Sequence, residues 1–172
     1  YADFSGDTLL DAREFERARH LLVGRTFAKA YGLAGIRIGA VLGDPETLTP
    51  LRRVVPPYSL NAYATAALPV ALADTAYRVW YVAQAEESRR LLTEACTRLG
   101  LRTWPSAANF MLVHAGRRAA SLVEALAQRN VFVRNRSHEP GCDGCIRMTT
   151  GVVADTERLV AALEEAWCGA AR

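Results

Sequence analysis

The sequence predicts an α/β fold in two parts. Residues 1–60 form βα material, and residues 61–172 form an interdomain helix followed by a small, compact α+β domain. Three observations predict this. Short apolar runs at residues 21–24 and 36–42 lie among glycines, as buried strands bounded by turns do. Pro56-Pro57 and the turn-like residues up to Asn61 mark a boundary. After Gly100 the pattern runs strand, strand, helix, strand, strand, helix, the order of an α+β unit with helices on one face of its sheet.

The elements follow in order. Residues 8–19 mix charges with a few apolar positions and read as a surface helix or loop. Leu21-Leu22-Val23-Gly24 reads as a buried strand, and Ile36-Arg37-Ile38-Gly39-Ala40-Val41-Leu42 as a second. Asp44-Pro45 opens a helix, with the carboxylate as cap and proline at the first helical position, and that helix ends before Pro56. Residues 61–99 are helical and alanine-rich, and Pro69 is expected to kink or divide them. Gly100 caps the end. Residues 101–104, 109–113, 131–133 and 146–149 read as strands. Residues 117–129 read as a helix facing inward through Leu122, Val123 and Leu126, and residues 155–167 as the last helix.

The bulk composition narrows function by exclusion. The net charge is +3 with acids and bases interspersed, which points to neither a nucleic-acid partner nor a membrane surface. No apolar run reaches the ~18 residues of a membrane span. The chain opens without an initiator Met and without a basic-then-apolar leader, so the numbering is expected to start inside a longer protein. The cysteines Cys96, Cys142, Cys145 and Cys168 call for no disulfides, and a cytoplasmic location is the default. Cys142 and Cys145 have the CxxC spacing but lack two further ligands for zinc, so no metal site is expected.

Of 21 basic residues only one is lysine, Lys29. Arginine stays protonated and cannot form an imine, whereas a lysine amine can lose its proton and attack a carbonyl. Chance survival of one lysine is the alternative. Lys29 stands on the connection between the two predicted strands of the first part, where α/β folds place their sites. Thr26 precedes it by three residues and Arg37 follows by eight, so a hydroxyl, an amine and a guanidinium could meet on one phosphate-bearing ligand. On pattern alone the segment is also an ordinary loop.

The stretch Arg25-Thr26-Phe27-Ala28-Lys29-Ala30-Tyr31-Gly32-Leu33-Ala34-Gly35-Ile36-Arg37-Ile38-Gly39 resembles the T-F-S-K-x-x-G-L-A-G-x-R-x-G motif of fold-type I aminotransferases, which use pyridoxal 5'-phosphate (PLP). It is most similar to the histidinol-phosphate aminotransferase family. The resemblance implies the C-terminal part of that family's large domain followed by its small domain. It implies that Lys29 is catalytic and holds PLP as a Schiff base, and that Thr26 and Arg37 bind the cofactor phosphate. Ala28 departs from the motif's serine, so one hydroxyl contact to that phosphate is absent. Tyr1-Ala2-Asp3-Phe4 resembles the tail of the D-E-A-Y-x-x-F strand, which assigns the Tyr1 hydroxyl to the cofactor's phenolic oxygen. The motif's aspartate would lie two residues before Tyr1.

Residues 130–151, with Val133-Arg134-Asn135-Arg136 and Cys145-Ile146-Arg147-Met148-Thr149-Thr150-Gly151, resemble G-x-x-V-R-x-R…C-x-R-x-T-x-G. Arg147 and Arg134 then hold the substrate's anionic group, a phosphate in this family. By alternation alone Arg147 fits a pocket and solvent equally. Pro57-Tyr58-Ser59-Leu60-Asn61 resembles P-Y-x-x-N, and Ala108-Asn109-Phe110 resembles A-N-F, which puts Tyr58 and Asn109 near substrate. His20, His114 and His138 match no site position. The implied activity is amino transfer between histidinol phosphate and 2-oxoglutarate, yielding glutamate, by a cytoplasmic homodimer. An aromatic amino-acid aminotransferase, a threonine-phosphate decarboxylase and a catalytically incomplete fragment remain the alternatives.

Overall fold

A helical turn at Ala2–Ser5 (α1) and a short helix at Ala12–Arg17 (α2) lead into two antiparallel strands, Leu22–Thr26 (β1) and Gly39–Gly43 (β2). Helices Pro45–Val54 (α3), Ala62–Ala73 (α4) and Thr75–Arg98 (α5) follow. The computed structural model describes residues 1–169; residues 170–172, placed at the end of the expected second domain, lie outside them. The chain forms two units, Tyr1–Val79 and the residues from Trp80 onward.

In the first unit the two strands pair alone, so neither is buried as the sequence predicts. Exposed and half-buried positions alternate along β1, and Leu22, Val41 and Leu42 are 40%, 54% and 37% exposed. An apolar run signals burial on both faces only where further strands and helices cover it. The second predicted strand also starts late. Ala34–Ile36 form a single 3-10 turn and Arg37 takes a left-handed conformation at φ 60°, so pairing begins at Gly39. A β-carbon at Gly39 would lie 2.9 Å from the Arg25 carbonyl, a separation only glycine allows.

Side chains at three positions punctuate the helices. The Asp44 carboxylate accepts from the Glu46 amide and opens α3 with Pro45 at its first turn, as expected. Asn61 caps α4 by accepting from the Ala64 amide at 2.8 Å. Pro69 does not divide α4; the break comes at Asp74, whose carboxylate accepts from the Tyr77 amide and starts α5. A proline removes one helical hydrogen bond, and the Ala and Leu around it restore propensity, whereas Asp offers the backbone a competing partner. Ala64 is fully buried with Phe27 and Ile38. That packing joins α4 to the strands, within the compact unit that ends at Val79.

The second unit has a covered sheet. Strands Arg102–Thr103 (β3), Phe110–His114 (β4), Arg134–Asn135 (β5) and Cys145–Thr149 (β6) form an antiparallel sheet in the order β3-β4-β6-β5. Met111, Val113, Ile146 and Met148 face helices Ala119–Ala127 (α6), Val153–Gly169 (α7) and the second half of α5. Leu92, Leu126 and Leu163 complete a core in which all three are fully buried. Burial of each contributes about 2 kcal/mol of apolar transfer. Gly100 at φ 67° ends α5 while the Leu101 amide donates to the Cys96 carbonyl. Residues 131–133 are not a strand. Asn130 is left-handed and the Val131 amide donates to the Leu126 carbonyl, closing α6, so pairing with β6 begins only at Arg134.

Candidate active site

The loop carrying Lys29 is closed by short-range hydrogen bonds. The Gly32 amide donates to the Lys29 carbonyl at 3.0 Å, and the Leu33 amide to the Phe27 carbonyl at 3.1 Å. Gly32 supports this turn with φ 70°, and a β-carbon there would lie 3.2 Å from the Tyr77 hydroxyl. Phe27 and Ala30 are buried on either side of half-buried Lys29 and anchor its backbone. Thr26 pairs with Gly39, two residues beyond Arg37. Thr26, Lys29 and Arg37 therefore gather at one end of the β1–β2 pair. The Thr26 hydroxyl accepts from the Ala28 amide at 3.2 Å, and Arg37 donates to the Ala34 carbonyl at 3.0 Å.

The charges around this loop divide into two kinds. Arg25 is neutralised by Asp3 at 3.0 Å, and Arg78 reaches the same carboxylate at 3.4 Å. Lys29 and Arg37 have no ion pair among the described residues. An amine and a guanidinium free of ion pairs, with a hydroxyl at the same strand end, are the groups that an aldehyde with a phosphate tail requires. The residues present thus fit PLP. Ala28 contributes its main-chain amide to Thr26 and no hydroxyl. Tyr1 is 51% exposed and precedes α1, a helical turn where the motif predicts the tail of a strand. The first-turn hydrogen bonds from Phe4 and Ser5 to the Tyr1 carbonyl produce that turn.

The second cluster lies on the outer face of the four-stranded sheet. Arg134 and Arg147 are directly opposite one another in the β5–β6 pairing. Arg147 is also opposite Leu112 of β4, and its guanidinium carbon lies 5.2 Å from the centroid of the Phe110 ring. Neither arginine is ion-paired among the described residues. Like charges facing across strands destabilise a sheet unless an anion joins them. The next arginine, Arg136, is instead satisfied by Glu139.

The remaining assigned residues behave differently from one another. Tyr58 is fully exposed and left-handed at φ 60°, a conformation that costs a non-glycine residue about 1 kcal/mol. Asn61, its motif partner, caps α4 and donates to the Ile36 carbonyl at 2.9 Å, tying the end of the lysine loop to the helix. Asn109 accepts the Thr150 amide through its carbonyl at 2.9 Å, while its side-chain amide is unpartnered among the described residues. Cys142 and Cys145 sit in one turn and are free thiols. Burial pushes the Cys96 thiol up to about 11, which leaves it protonated and inert. Among the described residues no group of three or more His, Cys, Asp or Glu could hold a metal, and no helix is long and apolar enough to cross a membrane.

Sequence reasoning missed three sets of contributors. Asp3 selects which arginines near the lysine stay free. Ser88 and Arg89 of α5 donate to the Gly151 and Ala108 carbonyls and brace the segments that carry Arg147 and Asn109. Phe110 lies beside Arg147. No spacing signal announces the first two, because the partners are 22 to 75 and 19 to 63 positions apart. Phe110 was within reach, since it stands in the A-N-F stretch.

In the first unit a strand-loop-strand presents a lysine without an ion pair, and in the second an antiparallel sheet presents two facing arginines. Residues 1–163 match the family described as aminotransferase class I and II, and the chain belongs to that family. Among characterised relatives it is similar to the histidinol-phosphate aminotransferase of Symbiobacterium thermophilum, 38% identical over 167 residues, covering 96% of this chain and 46% of the relative. A histidinol-phosphate aminotransferase of Cupriavidus pinatubonensis is 39% identical over 153 residues, 87% of this chain and 40% of the relative. The structure superposes with TM-score 0.87 on the histidinol-phosphate aminotransferase of Sinorhizobium meliloti in complex with pyridoxal-5'-phosphate, at 30% identity over 98% of this chain and 47% of that one. The chain therefore spans about half the length of the curated relatives it matches.

Proposed function

We propose that this chain is the lysine-bearing half of a PLP-dependent aminotransferase that moves an amino group between histidinol phosphate and 2-oxoglutarate. The carrying observation is the single lysine, half-buried and without an ion pair, at the strand end that also presents Thr26 and Arg37. The first unit then belongs to the large cofactor-binding domain and the second is the small domain. Bound PLP would supply an electron sink for the bond-breaking at the substrate's α-carbon. Lys29 would hold the cofactor's aldehyde carbon, and its amine is the group placed to move the proton of the substrate's α-carbon. Thr26 and Arg37 would hold the phosphate through a hydroxyl and a guanidinium, and the Tyr1 hydroxyl would meet the phenolic oxygen.

Arg134 and Arg147 hold the donor's phosphate, and two facing guanidiniums match its dianion. Tyr58 and Asn109 contact substrate, one through an exposed ring on a left-handed backbone, the other through an unpaired side-chain amide. Four unpaired thiols support a reducing cytoplasm. A homodimer follows from the family resemblance. The test is a comparison of amino donors with 2-oxoglutarate as acceptor, using the intact protein. Histidinol phosphate should exceed phenylalanine in kcat/KM on the order of a hundredfold, the value of one charge-assisted contact pair. Equal rates would favour an aromatic donor, and release of carbon dioxide from threonine phosphate would favour a decarboxylase.

A further inference from the structure

We propose that Phe110 is a positioning residue for Arg147, holding its guanidinium over the face of the ring so that it meets the substrate's anion already oriented. The inference rests on the reading of Arg147 as an anion holder and deepens it.

The placement follows from strand register. Phe110 pairs with Thr149 and Leu112 with Arg147, so Phe110 and Arg147 are diagonal neighbours across β4 and β6. Alternation puts both on the outer face, because Met111 and Met148 between them are buried on the other. Diagonal neighbours on one face stay within reach of long and aromatic side chains. The guanidinium carbon lies 5.2 Å from the ring centroid, inside the range where a cation is attracted to a ring face.

The need for such a restraint is local. Arg134 faces Arg147 directly, and the two like charges repel when no anion is present. No carboxylate among the described residues restrains Arg147. An arginine side chain loses several rotors' freedom when it docks on an anion. Phe110 is stiff by comparison, with two rotatable bonds, and the Ser106 hydroxyl donates to the carbonyl of Phe110 at 2.6 Å. A rigid ring that holds the guanidinium beforehand lowers the ordering cost at binding, which acts on affinity rather than on the bond-breaking step.

The test uses the intact protein and inorganic phosphate as the probe, with its dissociation constant followed by NMR titration, alongside steady-state kinetics. Phe110→Leu should weaken phosphate binding about fivefold and raise KM for the phosphate-bearing donor equally, while kcat falls less than twofold. Phe110→Tyr keeps the ring face and should stay within twofold of the parent. If the leucine variant loses its cooperative unfolding, Phe110→Met replaces it, since methionine keeps length and apolar volume. Loss of a merely structural ring would lower kcat and raise KM alike for every donor, anionic or neutral, and that outcome overturns the proposal. Arg147→Gln separates the two layers. If it abolishes phosphate binding while Phe110→Leu leaves it unchanged, the positioning role is wrong and the anion holder stands. If Arg147→Gln changes nothing, the reading of Arg147 fails and takes the proposal with it.

Discussion

The two units solve burial in different ways. From Trp80 onward a four-stranded sheet is closed by three helices, and its inward side chains are almost all inaccessible. In Tyr1–Val79 the buried cluster is Phe27, Ile38 and Ala64, while Val54, Tyr63 and Val70 are 75%, 80% and 70% exposed. The second unit therefore has the larger core, and the first holds the candidate lysine loop around a smaller one. A lysine loop held by turn hydrogen bonds and two flanking buried residues keeps its local geometry without a large core. The facing arginines need the opposite: a stiff sheet that holds two like charges in register against their repulsion.

The comparison can be broken first at the core of the second unit. Leu163→Ala should destabilise that unit by about 3 kcal/mol, the usual cost of a cavity at a fully buried leucine. Hydrogen exchange should accelerate at the amides of β4 and β6 and be unchanged at those of β1 and β2. Acceleration throughout would mean that the units share one cooperative transition. A smaller effect sharpens the same contrast. Thr150 is fully buried, and its hydroxyl has no hydrogen-bond partner among the described residues. Thr150→Val removes an unsatisfied group at constant shape and should stabilise the second unit by about 1 kcal/mol, read as a rise in the midpoint of denaturant unfolding. A fall would show that the hydroxyl is satisfied by a bound partner.

Legibility in the sequence followed the same division. In the second unit the alternation of Met111, Val113, Ile146 and Met148 and the helical spacing of Leu122 and Leu126 reported true environments, so the α+β order was readable. In the first unit identical signals misled. Leu22, Val41 and Leu42 look like buried strand residues, but only two strands pair there. Pro69 looks like a break, yet Asp74 makes it, because a competing side-chain hydrogen bond outweighs one lost helical bond. Candidates for the proposed site could be named from sequence where they lie close together in it, as at Thr26, Lys29 and Arg37. The site was illegible where partners are distant, as at Asp3 with Arg78, or where strand register decides, as at Phe110 with Arg147.

The most direct measurement exploits the single lysine. The intact protein is incubated with PLP, reduced with borohydride to fix any imine, digested, and mapped by mass spectrometry. The account predicts that the cofactor mass falls on the peptide containing Lys29 and is lost in Lys29→Ala together with amino transfer. Label confined to the terminal amine, or full turnover by Lys29→Ala, would contradict it.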